Sequence, residues 1–137
     1  MVGWKAGSCS LATFFFEHFH STSLALTEDG LIIGFLIGFR SQSHPHIAYI
    51  HFVGVDPVHR GKGLGRTLYL HFFEQMKSME CTEVQCITSP INKTSIAFHS
   101  AMGFDFMAGD DVVDNIPVYR NHAGAGQPRV VFRRLLN

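Results

Sequence analysis

Val55-Asp56-Pro57-Val58-His59-Arg60-Gly61-Lys62-Gly63-Leu64-Gly65 is the stretch on which the reading of this chain turns. It follows an apolar, strand-like run, Ile47–Val55 (IAYIHFVGV). It opens a one-sided helical stripe at Leu64, Leu68, Phe72, Met76 and Met79, which predicts a helix over residues 63–79. Three glycines fall within five residues here, and Arg60, Lys62 and Arg66 bring cations with no acid between Asp56 and Glu74. Glycine lets backbone N–H groups turn outward and lets an oxyanion approach without meeting a side chain. A helix start adds unpaired donors and the positive end of the helix dipole. The chemistry is that of a phosphate or pyrophosphate site. A P-loop needs Ser or Thr after its lysine, but Lys62 is followed by Gly63. The third glycine of a dinucleotide fingerprint would fall at Arg66. The bland alternative is a tight strand-to-helix turn with solvated basic side chains.

Outward from this loop the elements alternate. The first ten residues read as loop, and residues 11–19 have helical spacing, with Leu11, Phe15 and Phe19 on one line. A short strand over 23–27 ends at the turn signal Glu28-Asp29-Gly30. Residues 31–39 (LIIGFLIGF) form a nearly unbroken apolar run, expected as a strand buried on both faces. Gly54, inside the end of the next strand, marks a bulge or a close approach by backbone or ligand. Beyond the second helix, Glu83–Thr88 reads as a strand and residues 92–102 as a helix capped by Gly103. Strands over 104–108 and 130–135 close the chain, joined by a long polar loop. This order predicts one α/β domain over residues 1–137 around a partly parallel sheet.

Composition narrows the function classes. A chain of 137 residues with 46% apolar residues and 13 Phe can build a core without disulfides or metal. Lys+Arg and Asp+Glu are both 11, so the balanced charge argues against nucleic acid and against an anionic membrane surface. Cys9, Cys81 and Cys86 make no disulfide framework and suit a reducing compartment. Residues 11–16 are too short an apolar run for a secretory signal, and nothing approaches the ~18 residues of a membrane span. The expectation is a cytoplasmic protein. Nine His include the pairs His18/His20 and His44/His46, neither at zinc spacing, so no metal is expected. Asp105, Asp110, Asp111 and Asp114 lie in a stretch with no Lys or Arg, and the carboxylates of the long loop from about residue 109 to 128 could attract a cationic amine.

Arg60-x-x-Gly63-x-Gly65 resembles the acyl-CoA signature of the GNAT superfamily of N-acetyltransferases. Asn92, Ala97-Phe98 and Gly103-Phe104 resemble the family's following helix and strand, at matching separation. The resemblance runs from about Ser23 to the C-terminus. It implies a single GNAT-like α+β domain with a mixed central sheet whose parallel strands splay, flanked by helices. It also implies an acetyl-CoA-dependent N-acetyltransferase acting by direct attack of an amine, without metal or covalent enzyme intermediate.

By that resemblance, the backbone amides of Arg60, Gly61, Lys62, Gly63, Leu64 and Gly65 would hold the CoA pyrophosphate, with Arg66 near the anion. Val53, Gly54 and Val55 would pair with the CoA arm, the Val55 N–H facing the thioester oxygen, and Asn92 would touch the arm. His99 stands where the family usually has the tyrosine that protonates the leaving thiolate, and imidazole can take that role. His51 is the candidate base, with Tyr49 on the same strand face as pocket lining. The region before residue 11 is shorter than in many relatives, which bears on the acceptor pocket. The acceptor is an amine of a small molecule or of a protein or peptide, and relatives often dimerise. Two alternatives remain open on the sequence: an acyl-CoA-binding or sensing module without catalysis, and a nucleotide-binding regulatory domain.

Overall fold

The computed structural model describes residues 9–137, with side chains from residue 14 onward. The opening loop falls outside the described residues as far as residue 8, whereas Cys9 and Ser10 already belong to helix α1 (Cys9–His18). Strands β1 (Leu24–Glu28), β2 (Leu31–Arg40) and β3 (Ile47–Val55) follow, then α2 (Leu64–Ser78), β4 (Glu83–Thr88) and α3 (Lys93–Ala101). The chain ends with β5 (Asp105–Phe106), β6 (Asp111–Val113), β7 (Ile116–Val118) and β8 (Val130–Leu135). The six-stranded main sheet has the order β1-β2-β3-β4-β8-β5, antiparallel except for the β3–β4 pair. The expected α/β domain with a partly parallel sheet is what forms.

Local chemistry explains the hairpins. Asp29 and Gly30 both take positive φ, 50° and 77°, which suits the twist of a two-residue loop closed by the Glu28–Leu31 pair. Asp114 and Asn115 repeat this at 50° and 64° and close a second hairpin, β6–β7. The long connection expected to be structureless therefore carries a small sheet of its own. Its strands are three residues each and one contains Pro117, too short and too interrupted for a period-two pattern to stand out. The strand expected to be buried on both faces is so only in its second half. Leu31 and Ile32 are exposed, whereas Leu36, Ile37 and Gly38 are buried.

The core lies between the sheet and α2. Leu68, Phe72 and Met76 from the predicted stripe are buried against Leu36, Ile50 and Val84, and Tyr69 and Phe73 widen the face. Phe72 is 0% exposed, so truncating it to Ala would cost about 3–5 kcal/mol. A Cβ at Gly38 would overlap its ring, which is why the sheet can approach the helix there. Among the described residues, no helix is long and apolar enough to cross a membrane.

Candidate active site

Two features of β3 create the site. The first is a bulge. Ile37 pairs with Phe52 and Gly38 with Ile50, so His51 is the extra residue with no partner on β2. A bulge puts neighbouring side chains on one side of the strand and increases its twist, and the His51 and Phe52 rings accordingly touch at 4.0 Å. The bulge expected near Gly54 thus sits three residues earlier. Gly54 answers to another need, since a Cβ there would come within 2.6 Å of the Phe35 ring. The second feature is a parting of strands. β3 and β4 are in register only at Ile47–Glu83, Ala48–Val84 and Tyr49–Gln85. Beyond Tyr49 the β3 edge toward β4 has no strand partner among the described residues, while β4 continues with β8 alone.

A cleft of about 340 Å³ opens where the strands part. Ile50 and Val53 line it from the α2 side of β3, with Tyr69, Cys86, Thr88 and His99. Tyr49, His51 and Phe52 line it from the α1 side. Phe15 of α1 packs on His51 at 5.2 Å and on Phe52 at 5.9 Å, and Tyr49 stacks on Phe39 at 5.3 Å. Partial burial lowers the His51 imidazole from the ordinary 6.5, so it is neutral and able to accept a proton at pH 7. Burial, with the neighbouring Cys86, raises the Tyr49 hydroxyl and keeps it protonated. Burial likewise pushes the Cys86 thiol far up, which leaves it inert as a nucleophile.

His99 is 5% exposed and lies flat on Phe132 at 4.8 Å. Its Nδ1 is 2.7 Å from the Ser95 carbonyl oxygen, which can only accept, so the proton resides on Nδ1. Nε2 is then an acceptor, and the Tyr69 hydroxyl donates to it at 2.8 Å. Burial pushes His99 down to about 4, so the ring is neutral at physiological pH and has no proton to give at Nε2. The Tyr69 hydroxyl, raised well above 10 by burial and by Cys86, keeps its proton. Sequence reasoning placed Tyr69 nowhere in the site. Its position one residue after the apolar stripe, on the flank facing α3, was the available signal.

The glycine loop follows β3 directly after Val55, two residues beyond the cleft-lining Val53. Asp56 caps the 3-10 turn Pro57–His59 by accepting from the Val58 N–H. His59 Nε2 donates to Glu28 at 2.6 Å and its Nδ1 is 3.4 Å from Asp56, which fastens the loop to the β1–β2 hairpin. Gly61 and Gly63 have φ of 79° and 75°, conformations that L side chains resist, with open space where a Cβ would sit. Gly63 caps α2 without a side-chain hydrogen bond, and Thr67 makes the first return to its carbonyl. The N–H groups of residues 61–66 donate to no backbone acceptor among the described residues. Arg60, Lys62 and Arg66 enter no ion pair among them either. Asn92 caps α3 by accepting from Ser95 N–H at 3.1 Å, which leaves its amide NH₂ at the cleft.

The loop aspartates are engaged elsewhere. Asp110 accepts from the Arg120 N–H, Asp111 pairs with the Arg120 guanidinium and Asp114 with Lys93, and none lines the cleft. No cluster of ligating side chains suited to a metal occurs among the described residues.

A sequence model of the acetyltransferase (GNAT) family matches residues 4–104. The chain belongs to this GNAT family. An L-2,4-diaminobutyric acid acetyltransferase of Virgibacillus pantothenticus is 30% identical over 79 residues, covering 58% of this chain and 50% of that protein. The chain thus spans about half the length of that relative. Among solved structures, the ribosomal-protein-S18-alanine N-acetyltransferase of Escherichia coli superposes with a TM-score of 0.67 at 17% identity, covering 98% of this chain and 92% of that one. The Salmonella typhimurium protein yncA, determined with its cofactor acetyl-CoA, gives 0.69 at 18% identity, covering 97% and 76%. The GNAT fold expected from the two motifs is therefore present across the described chain.

Proposed function

We propose that the protein is an acetyl-CoA-dependent N-acetyltransferase that passes the acetyl group directly to a primary amine of a small molecule, protein or peptide. The observation that carries this reading is the opening of β3 from β4 beside a loop of unengaged N–H groups. The residues suit the cofactor: Gly61 and Gly63 leave room for a diphosphate, and the donors of residues 61–65, the α2 dipole and Arg66 favour its charge, whereas the expected Arg60 N–H is already given to the Pro57 carbonyl. The free β3 edge at Val53, Gly54 and Val55 can accept an extended arm as an added strand. The Asn92 amide lies along the same path. The Val55 N–H is the candidate donor to the thioester oxygen. When bound, acetyl-CoA supplies an activated carbonyl, so that the C–N bond forms as the C–S bond breaks.

His51, neutral at the α1 mouth of the cleft, takes the proton that the attacking nitrogen sheds. Tyr49 lines the same mouth. His99 does not itself donate in this reading. Its Nε2 holds the Tyr69 hydroxyl, whose single proton turns from Nε2 to the leaving sulfur as the C–S bond breaks, and the proton shed by the nitrogen to His51 returns to the phenolate through solvent, so that the two transfers balance. Acetyl-CoA is expected to raise the melting temperature, since a ligand that binds only the folded state stabilises it, and free thiol accumulates when an amine is added. Stabilisation by ATP or NAD but not by CoA would end the reading, and binding without turnover would leave a sensing module.

A further inference from the structure

We infer that the amine taken by this cleft is a small primary amine bearing an aromatic ring and no second ammonium, an inference that rests on the acetyltransferase reading above. The α1 mouth of the cleft is walled by rings. Tyr49, His51 and Phe52 line it, Phe15 packs on the latter two, and Phe39 carries Tyr49. These rings are half-buried or exposed, unlike Phe72, Phe73, Phe104 and Phe132 on the opposite face, which are 5% exposed or less. The α1-side aromatics therefore keep surface available for a ligand instead of spending it all on the core.

The charge pattern points the same way. None of the described residues lining the cleft is Asp, Glu, Lys or Arg, and residues 1–13 contain no Asp or Glu. Its two imidazoles are both shifted toward the neutral form. Asp110, Asp111 and Asp114 have their carboxylates on Arg120 and Lys93. A diamine would have to bring a second ammonium out of water with no carboxylate among the described residues lining the cleft to meet it. An aromatic ring instead finds edge and face partners in Phe52 and Tyr49. At about 340 Å³ the cleft is at the small end of ligand sites, room for an acetyl end and one ring.

The test uses the purified chain with acetyl-CoA and follows free thiol for phenethylamine, tryptamine, putrescine and 2,4-diaminobutyrate at equal concentration. The expected result is kcat/KM at least tenfold higher for the two ring-bearing amines. Phe52→Leu should narrow that gap at least threefold through KM, with its melting temperature recorded to confirm folding. Equal or faster turnover of putrescine or diaminobutyrate overturns the inference while the acetyltransferase reading stands. Stabilisation by acetyl-CoA with no turnover of any amine overturns both.

Discussion

The Tyr69 hydroxyl donates to His99 Nε2 across 2.8 Å, in a setting where both side chains are 5% exposed or less. The two residues lie thirty positions apart, on α2 and α3, and each restricts the other. His99 can accept because Ser95 holds its proton on the far nitrogen, and Tyr69 can donate because burial keeps it from ionising.

Tyr69→Phe removes the proposed donor and leaves His99 Nε2 buried without a partner. Loss of a general acid predicts a fall in kcat of about 100-fold with KM little changed. The unsatisfied nitrogen should cost about 1–3 kcal/mol of stability. Steady-state kinetics and urea unfolding check the two effects separately, and an unchanged kcat removes Tyr69 from the chemistry.

Stability should fall with pH in a defined window. His99 has a folded pKa of about 4 against 6.5 unfolded, so between these values the unfolded chain binds more protons. The stabilising contribution is complete above 6.5 and is lost as pH drops toward 4. At 1.36 kcal/mol per unit the loss is on the order of 3 kcal/mol. Urea titrations at pH 7 and pH 4.5 should show this slope in the parent chain and a flatter one in His99→Phe.

A base whose pKa is lowered sets where activity fails. If His51 accepts the amine proton, the acid limb of kcat/KM lies below 6.5. His51→Gln should abolish that limb and reduce the plateau by about tenfold to 100-fold. A limb that survives the substitution assigns it to another group.

The glycines of the anion loop are not equivalent. Gly63→Ala places a Cβ at φ 75°, for a backbone cost of about 1–2 kcal/mol, and tilts the donors that face the anion. Gly65→Ala meets only the Phe98 ring at 3.5 Å, ordinary contact, inside a helix where Ala is favoured. Calorimetric titration with CoA should show weaker binding for the first and stability within about 0.5 kcal/mol of the parent for the second. Equal damage in both would mean that space, not φ, governs the loop.

Much of this molecule was legible in the chain because it is set by neighbours in sequence. The glycine bend, the Asp29-Gly30 turn, the α2 stripe and the Gly103 cap each depend on the φ preferences or spacing of a few adjacent residues. The order of elements followed from them, and the GNAT resemblance rested on the residues of the two motifs. The second hairpin escaped notice because strands of three residues carry no usable period. The bulge that frees His51 depends on register against β2, the parting of β3 from β4 on sheet twist, and the Tyr69–His99 bond on how two helices pack over one sheet. Propensity and pattern are short-range, whereas a proton's location and a cleft's lining are fixed by burial and by partners brought from distant parts of the chain. For that reason sequence alone determined that a glycine-rich bend with three cations follows a strand end. Only the tertiary structure decided which side chains stand there neutral, and which one keeps a proton to give.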